Sequence, residues 1–155
     1  MIWGARDGRQ KIDQIWMPGI HSDIGGYGRP DLIGISALLT MIAKVKNTGI
    51  AFNQNFIDSM TSRLEEIDRV KIRSERDNFY SRFLAYTTRA PGMSQHAEKK
   101  HSLLHVLYNK EISYKGKWKK PYDLDHLNPF VELQSDTNEY SDLINSCAES
   151  ALARM

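Results

Sequence analysis

The stretch Gln14-Ile15-Trp16-Met17-Pro18-Gly19-Ile20-His21-Ser22-Asp23-Ile24-Gly25-Gly26-Tyr27 admits few local structures. Ile12 to Met17 is short and apolar-rich, and it ends at Pro-Gly, which predicts a buried strand. Ile20 to Pro30 is rich in glycine and predicts a loop, in which Gly25 and Gly26 allow close approach of a chain or ligand. Asp31 follows Pro30 and is placed to cap a helix. The segment therefore delivers one histidine, His21, from a rigid strand into an open loop just ahead of a helix. A general base needs that placement: held firmly, yet accessible.

The helix after the loop is the best defined in the chain. Ile35, Leu38, Leu39, Ile42 and Val45 recur at helical spacing, Lys44 and Lys46 sit in the last turn, and Asn47 to Gly49 supplies a stop. Asn53 to Val70 predicts a second helix, with Phe56, Ile57, Met60, Leu64 and Ile67 on one side. Asn78 to Tyr86 predicts a third. Leu103 to Tyr108 fits a short strand or a helical turn. Glu111 to Pro129 reads as irregular, and Asp142 to Arg154 as an amphipathic terminal helix. The one boundary falls near Gly49. It separates a strand–loop–helix unit over residues 1–50 from a mostly helical region over residues 51–155. The fold class is α/β.

Composition excludes several classes. With 155 residues, 41% hydrophobic and 26% charged, the chain has enough apolar material for one domain with a core. Lys+Arg 21 against Asp+Glu 19 leaves +2, too balanced to imply a polyanionic partner. The single Cys147 precludes an internal disulfide framework and a cysteine-based zinc site. No apolar run approaches the ~18–20 residues that span a bilayer, and the first residues lack a signal-peptide pattern. These features leave the compartment open between the cytoplasm and export without a cleaved signal.

His21 is the candidate base, although a lone loop histidine taken by itself is more often a surface or hydrogen-bonding residue. In serine hydrolases a neutral imidazole takes the hydroxyl proton during attack and returns it to the leaving group. In the α/β-hydrolase order of nucleophile, acid and histidine, the histidine comes last, after a late strand and before a helix. Ile12–Met17, His21 and Leu32–Lys46 fit that final unit. Asp23 invites another reading, in which His21-x-Asp23 supplies two metal ligands or Asp23 orients His21. His96, His101 and His105 are the further candidate ligands, but zinc sites normally use three or four protein ligands and nothing fixes these near His21. The favoured reading of Asp23 is a side chain that shapes the loop by accepting backbone N–H bonds. No cofactor is implied.

Trp16-Met17-Pro18-Gly19-Ile20-His21-Ser22-Asp23-Ile24-Gly25-Gly26-Tyr27 resembles the W-F-P-G-V-H-S-D-V-G-G-G-Y signature of a bacterial and fungal α/β-hydrolase family that includes phospholipase effectors of the type VI secretion system. The helix over Ile35 to Val45 and the stretch Ile2-Trp3-Gly4 are similar to that family too. His101-Ser102 and Lys120-Pro121-Tyr122 bear a weaker likeness to a His-x-Ser and a Tyr-Pro element. The resemblance is strong over roughly Met1 to Phe52. It implies a serine hydrolase acting on an ester, a phospholipid or membrane-surface substrate included, with His21 as the base of the triad. Gly25-Gly26-Tyr27 has one glycine fewer than the signature. No Gly-x-Ser-x-Gly elbow occurs in the sequence. The family carries its nucleophile, oxyanion loop and triad acid upstream of this signature. The chain thus resembles the C-terminal portion of a longer hydrolase, with the missing N-terminal portion as its partner. Parallel strands that should flank Ile12–Met17 are expected to be absent, leaving an exposed sheet edge.

Lys110 to Tyr122 interleaves Lys110, Lys115, Lys117, Lys119 and Lys120 with Tyr114, Trp118 and Tyr122. Cations and aromatics so mixed suit a lipid surface or a single-stranded nucleic acid. A solvated loop with inward-packed aromatics is the plainer reading. Among partners, membrane ranks ahead of nucleic acid. A non-catalytic interaction module using this segment is the alternative to the hydrolase.

Overall fold

The computed structural model of the chain describes residues 12–19, 21–26, 31–70, 98–109 and 133–154. Asn78 to Tyr86, His96 and the segment Lys110 to Tyr122 lie outside the described residues. Among the described residues eight principal elements follow one another. They are β1 (Gln14–Trp16), α1 (His21–Ile24), α2 (Leu32–Val45), α3 (Gln54–Glu65), β2 (Glu98–His101), α4 (Ser102–Asn109), β3 (Gln134–Asp136) and α5 (Ser141–Ala153). The described part is mixed α/β, with a small parallel sheet in the order β1-β2-β3.

Local chemistry accounts for the helices. Asp31 caps α2 in an extended conformation, and its carboxylate accepts the Gly34 N–H at 2.9 Å. A 3₁₀ turn over Lys46–Thr48 and Gly49 at φ 89° end that helix. Asn53 caps α3 through the Phe56 N–H at 3.3 Å. Before α5, Asn138 Oδ1 accepts the Tyr140 N–H at 2.9 Å and Ser141 Oγ accepts the Asn138 N–H at 2.8 Å. Together these side chains close the turn that starts the helix.

Helices α2, α3, α4 and α5 share one core. It includes Leu32, Ile35, Leu39 and Ile42 from α2, Ile57, Met60 and Leu64 from α3, Leu103 and Val106 from α4, and Ile144, Ala148 and Ala151 from α5. Burying each large aliphatic side chain contributes roughly 1.5–3 kcal/mol. On α2 the expected Ile35, Leu39 and Ile42 are buried, whereas Leu38 and Val45 are half-buried. Phe56 departs from expectation: it is 49% exposed while its neighbour Ile57 is buried. Adjacent helical residues lie about 100° apart, so only one of the two can face the core. Cys147 is buried in this core, and burial pushes its thiol up, with Glu65 adding to the effect. A thiol so placed is a packing group.

Two strands escaped the sequence reading. β2 reads Glu-Lys-Lys-His and β3 reads Gln-Ser-Asp, so neither has the apolar run that marks a parallel strand. Yet β2 is central, and Glu98, Lys100 and His101 are buried. Its polar side chains find polar partners: Trp16 Nε1–H donates to Glu98 Oε2 at 2.7 Å across β1 and β2. The expectation of missing parallel neighbours is therefore corrected. β2 flanks β1 in parallel, with Gln14 opposite Glu98 and Trp16 opposite Lys100. Sheet and core both draw residues from either side of residue 50. Among the described residues no helix is long and apolar enough to cross a membrane.

Candidate functional site

All three strands are parallel, so their carboxyl ends share one edge of the sheet, the edge where open α/β sheets commonly bind ligands. The chain leaves β1 at this edge through Met17, Pro18 and Gly19. Gly19 has φ 93°, a conformation that favours glycine. A Cβ there would also lie 3.0 Å from Asp23 Oδ2 and 3.2 Å from Ile33 Cδ1. The Pro-Gly turn is thus fixed by backbone strain and by crowding together. Gly19→Ala should lower stability by about 1–3 kcal/mol. A thermal melt checks this, and an unchanged midpoint would show that the turn relaxes freely.

His21 opens α1 and is exposed. What was expected to be a loop from Ile20 begins instead with this single helical turn, closed by the Gly25 N–H to the His21 carbonyl at 2.8 Å. The turn lies directly on α2. A Cβ on Gly34 would come within 3.1 Å of the Asp23 carbonyl and 3.2 Å of the Gly26 Cα. Absence of a side chain at Gly34 is what lets the two backbones meet. Asp23 is 1% exposed and packs beneath Gly19. It shares a turn with His21, but it faces the interior while His21 faces outward.

A second cluster, which the sequence reading did not assemble, occupies the carboxyl ends of β2 and β3. His101 and Asp136 are register partners. His101 is fully buried, and its Nε2 lies 2.8 Å from Thr40 Oγ1 of α2. Its Nδ1 accepts the Leu103 N–H at 3.0 Å. Asp136 is 1% exposed, and its Oδ1 accepts from Lys44 Nζ at 2.5 Å with Lys99 Nζ at 3.7 Å. Asp136 Oδ2 is buried without a hydrogen-bond partner among the described residues. Ser36, Thr40 and Lys44 form a polar stripe at four-residue spacing on α2, beside its apolar face.

A hydroxyl, an imidazole and a carboxylate are the ingredients of a triad, but here the tautomer forbids it. A ring nitrogen that accepts a backbone N–H carries no proton, so the neutral His101 ring bears its proton on Nε2. Nε2 must therefore donate to Thr40 and cannot take the threonine proton. Burial also pushes the His101 pKa down to about 4, outweighing the upward pull of Asp136. Such a ring is a weak base near neutral pH. With both nitrogens engaged, His101 is not a metal ligand in this arrangement, which removes it from the candidate ligand set. The His105 side chain lies outside the described residues. Among the described residues no three His, Cys, Asp or Glu converge to hold a metal. Among the described residues the His101 cluster is buried, whereas His21 is exposed.

No protein-family model, curated protein or solved structure matches the chain.

Proposed function

We propose that this chain is the C-terminal part of a serine α/β-hydrolase of the phospholipase-effector type, with His21 as the general base. The observation that supports the reading is the path from β1 through the Gly19 turn to an exposed His21 seated on α2. A parallel strand, a histidine just past its carboxyl end and a following helix make the arrangement that the resemblance implies. The nucleophilic serine, the oxyanion donors and the triad acid come from a portion upstream. His21 accepts the serine proton as the hydroxyl attacks the ester carbonyl, then returns it to the departing alkoxide.

These 155 residues alone should show no esterase or lipase turnover, because a base without its nucleophile has nothing to activate. A chromogenic short-chain ester is the assay. Hydrolysis above background that His21→Ala abolishes would reveal a self-sufficient site and overturn the proposal. Reading the coding sequence immediately upstream is the companion test: an in-frame Gly-x-Ser-x-Gly elbow is the expected finding. A separate interaction module is favoured instead by a native start with no such elbow.

A further inference from the structure

β2 runs into α4 without a connecting residue, since the strand ends at His101 and the helix begins at Ser102. His101 thereby stands at the capping position of α4. Its Nδ1 does for the Leu103 N–H, at 3.0 Å, what a capping aspartate oxygen usually does. Its Nε2, 2.8 Å from Thr40, ties the same ring to α2. One buried imidazole therefore joins a strand end, a helix start and a second helix.

We propose that His101 is an acid-sensitive latch: its neutral ring holds the start of α4 against α2, and its protonation releases α4 from that junction. A protonated ring has N–H on both nitrogens. Nε2 keeps its donation to Thr40, but Nδ1–H then opposes the Leu103 N–H, donor against donor. The new positive charge also sits at the positive end of the α4 dipole. Only the α4 side of the latch is broken.

The surrounding charges do not rescue the protonated form. From β3, Asp136 faces the ring and favours the cation. That carboxylate is already engaged by Lys44 from α2 at 2.5 Å and approached by Lys99 from β2 at 3.7 Å. Among the described side chains, α4 brings Ser102 and Leu103, neither ionisable. Glu98 and Lys100 alternate to the other face of β2. The ring is fully buried, so burial dominates and holds its pKa near 4 while the junction is closed. Once α4 lifts and water reaches the ring, the ordinary value of about 6.5 returns. By linkage, the open fraction should then rise almost tenfold for each pH unit below about 6.5, or roughly 30-fold between pH 8 and pH 5.

Amide hydrogen exchange on the whole chain, corrected for the intrinsic pH dependence of exchange, tests the latch. The amides of Leu103, Leu104 and Val106 should lose protection by about 30-fold between pH 8 and pH 5, and low urea should barely change their rates. The α3 amides Ile57, Met60 and Leu64 should instead show the steep urea dependence of global unfolding. His101→Gln, whose amide can accept from Leu103 and donate to Thr40 without titrating, should flatten the pH response in α4. Two results would overturn the proposal: α4 protection that does not change with pH, or α4 amides that share the urea dependence of α3. The urea comparison is made on the unsubstituted chain, so it decides the matter even if His101→Gln does not fold.

Discussion

Acidification from pH 7.5 to pH 4.5 should cost the folded chain roughly 2–3 kcal/mol through His101 alone. The folded-state pKa of this ring lies near 4, against about 6.5 in an unfolded chain. Between those values the unfolded chain binds a proton that the folded chain does not, so stability falls as pH falls. Above about 6.5 neither state is protonated and the contribution is complete. Below about 4 both are, and it is lost. Because the ring is fully buried, solvent screening does not discount the effect. Carboxylates titrate over part of the same range, so the measurement compares urea unfolding of the unsubstituted chain with His101→Gln at both pH values. The substitution should be destabilising at pH 7.5, and the gap should narrow by about 2–3 kcal/mol at pH 4.5. Parallel stability curves for the two proteins would show that His101 is not held neutral.

The largest effect is expected at His21, in the enzyme completed by its upstream portion. There His21→Ala should lower kcat by a factor on the order of 10⁴–10⁶, because triad members act as a unit and the loss of one removes most of the chemical acceleration. Asp23→Ala should act differently. Asp23 is buried beneath Gly19 and points inward, so its loss should show first as reduced stability, with a far smaller fall in kcat at temperatures where the variant stays folded. Steady-state kinetics and a thermal melt on the same two variants separate the roles. An Asp23→Ala defect in kcat as deep as that of His21→Ala, in a protein of unchanged melting temperature, would mean that Asp23 acts on the histidine directly.

The sequence was informative where periodicity and turn chemistry carry the signal. The Asp31 cap, the Ile35-Leu39-Ile42 face and the Gly49 stop were all readable, because helix ends and apolar faces leave local marks. The strand before Pro18-Gly19 was readable for the same reason. β2 was not, since a central strand spelling Glu-Lys-Lys-His looks like solvated surface. Its burial depends on partners far away in sequence: Trp16 for Glu98, Thr40 for His101, Asp136 for Lys99. No local window contains both members of such a pair. The exposed His21 was legible from its flanking turn, whereas the buried Thr40–His101–Asp136 cluster was not. One signal did exist: Ser36, Thr40 and Lys44 recur every four residues, marking a polar stripe on a helix that is otherwise largely buried.

Covalent trapping with a fluorophosphonate tests the role of His21 most directly. The reagent forms a bond to a serine only when a neighbouring base withdraws the hydroxyl proton, so its rate reports the base itself. With the upstream portion joined in frame, the label should appear on a serine of that portion, and His21→Ala should slow labelling by a factor on the order of 10⁴. Labelling at an equal rate with His21 replaced, or a label on a residue within these 155, would contradict the assignment of His21 as the general base of a split hydrolase site.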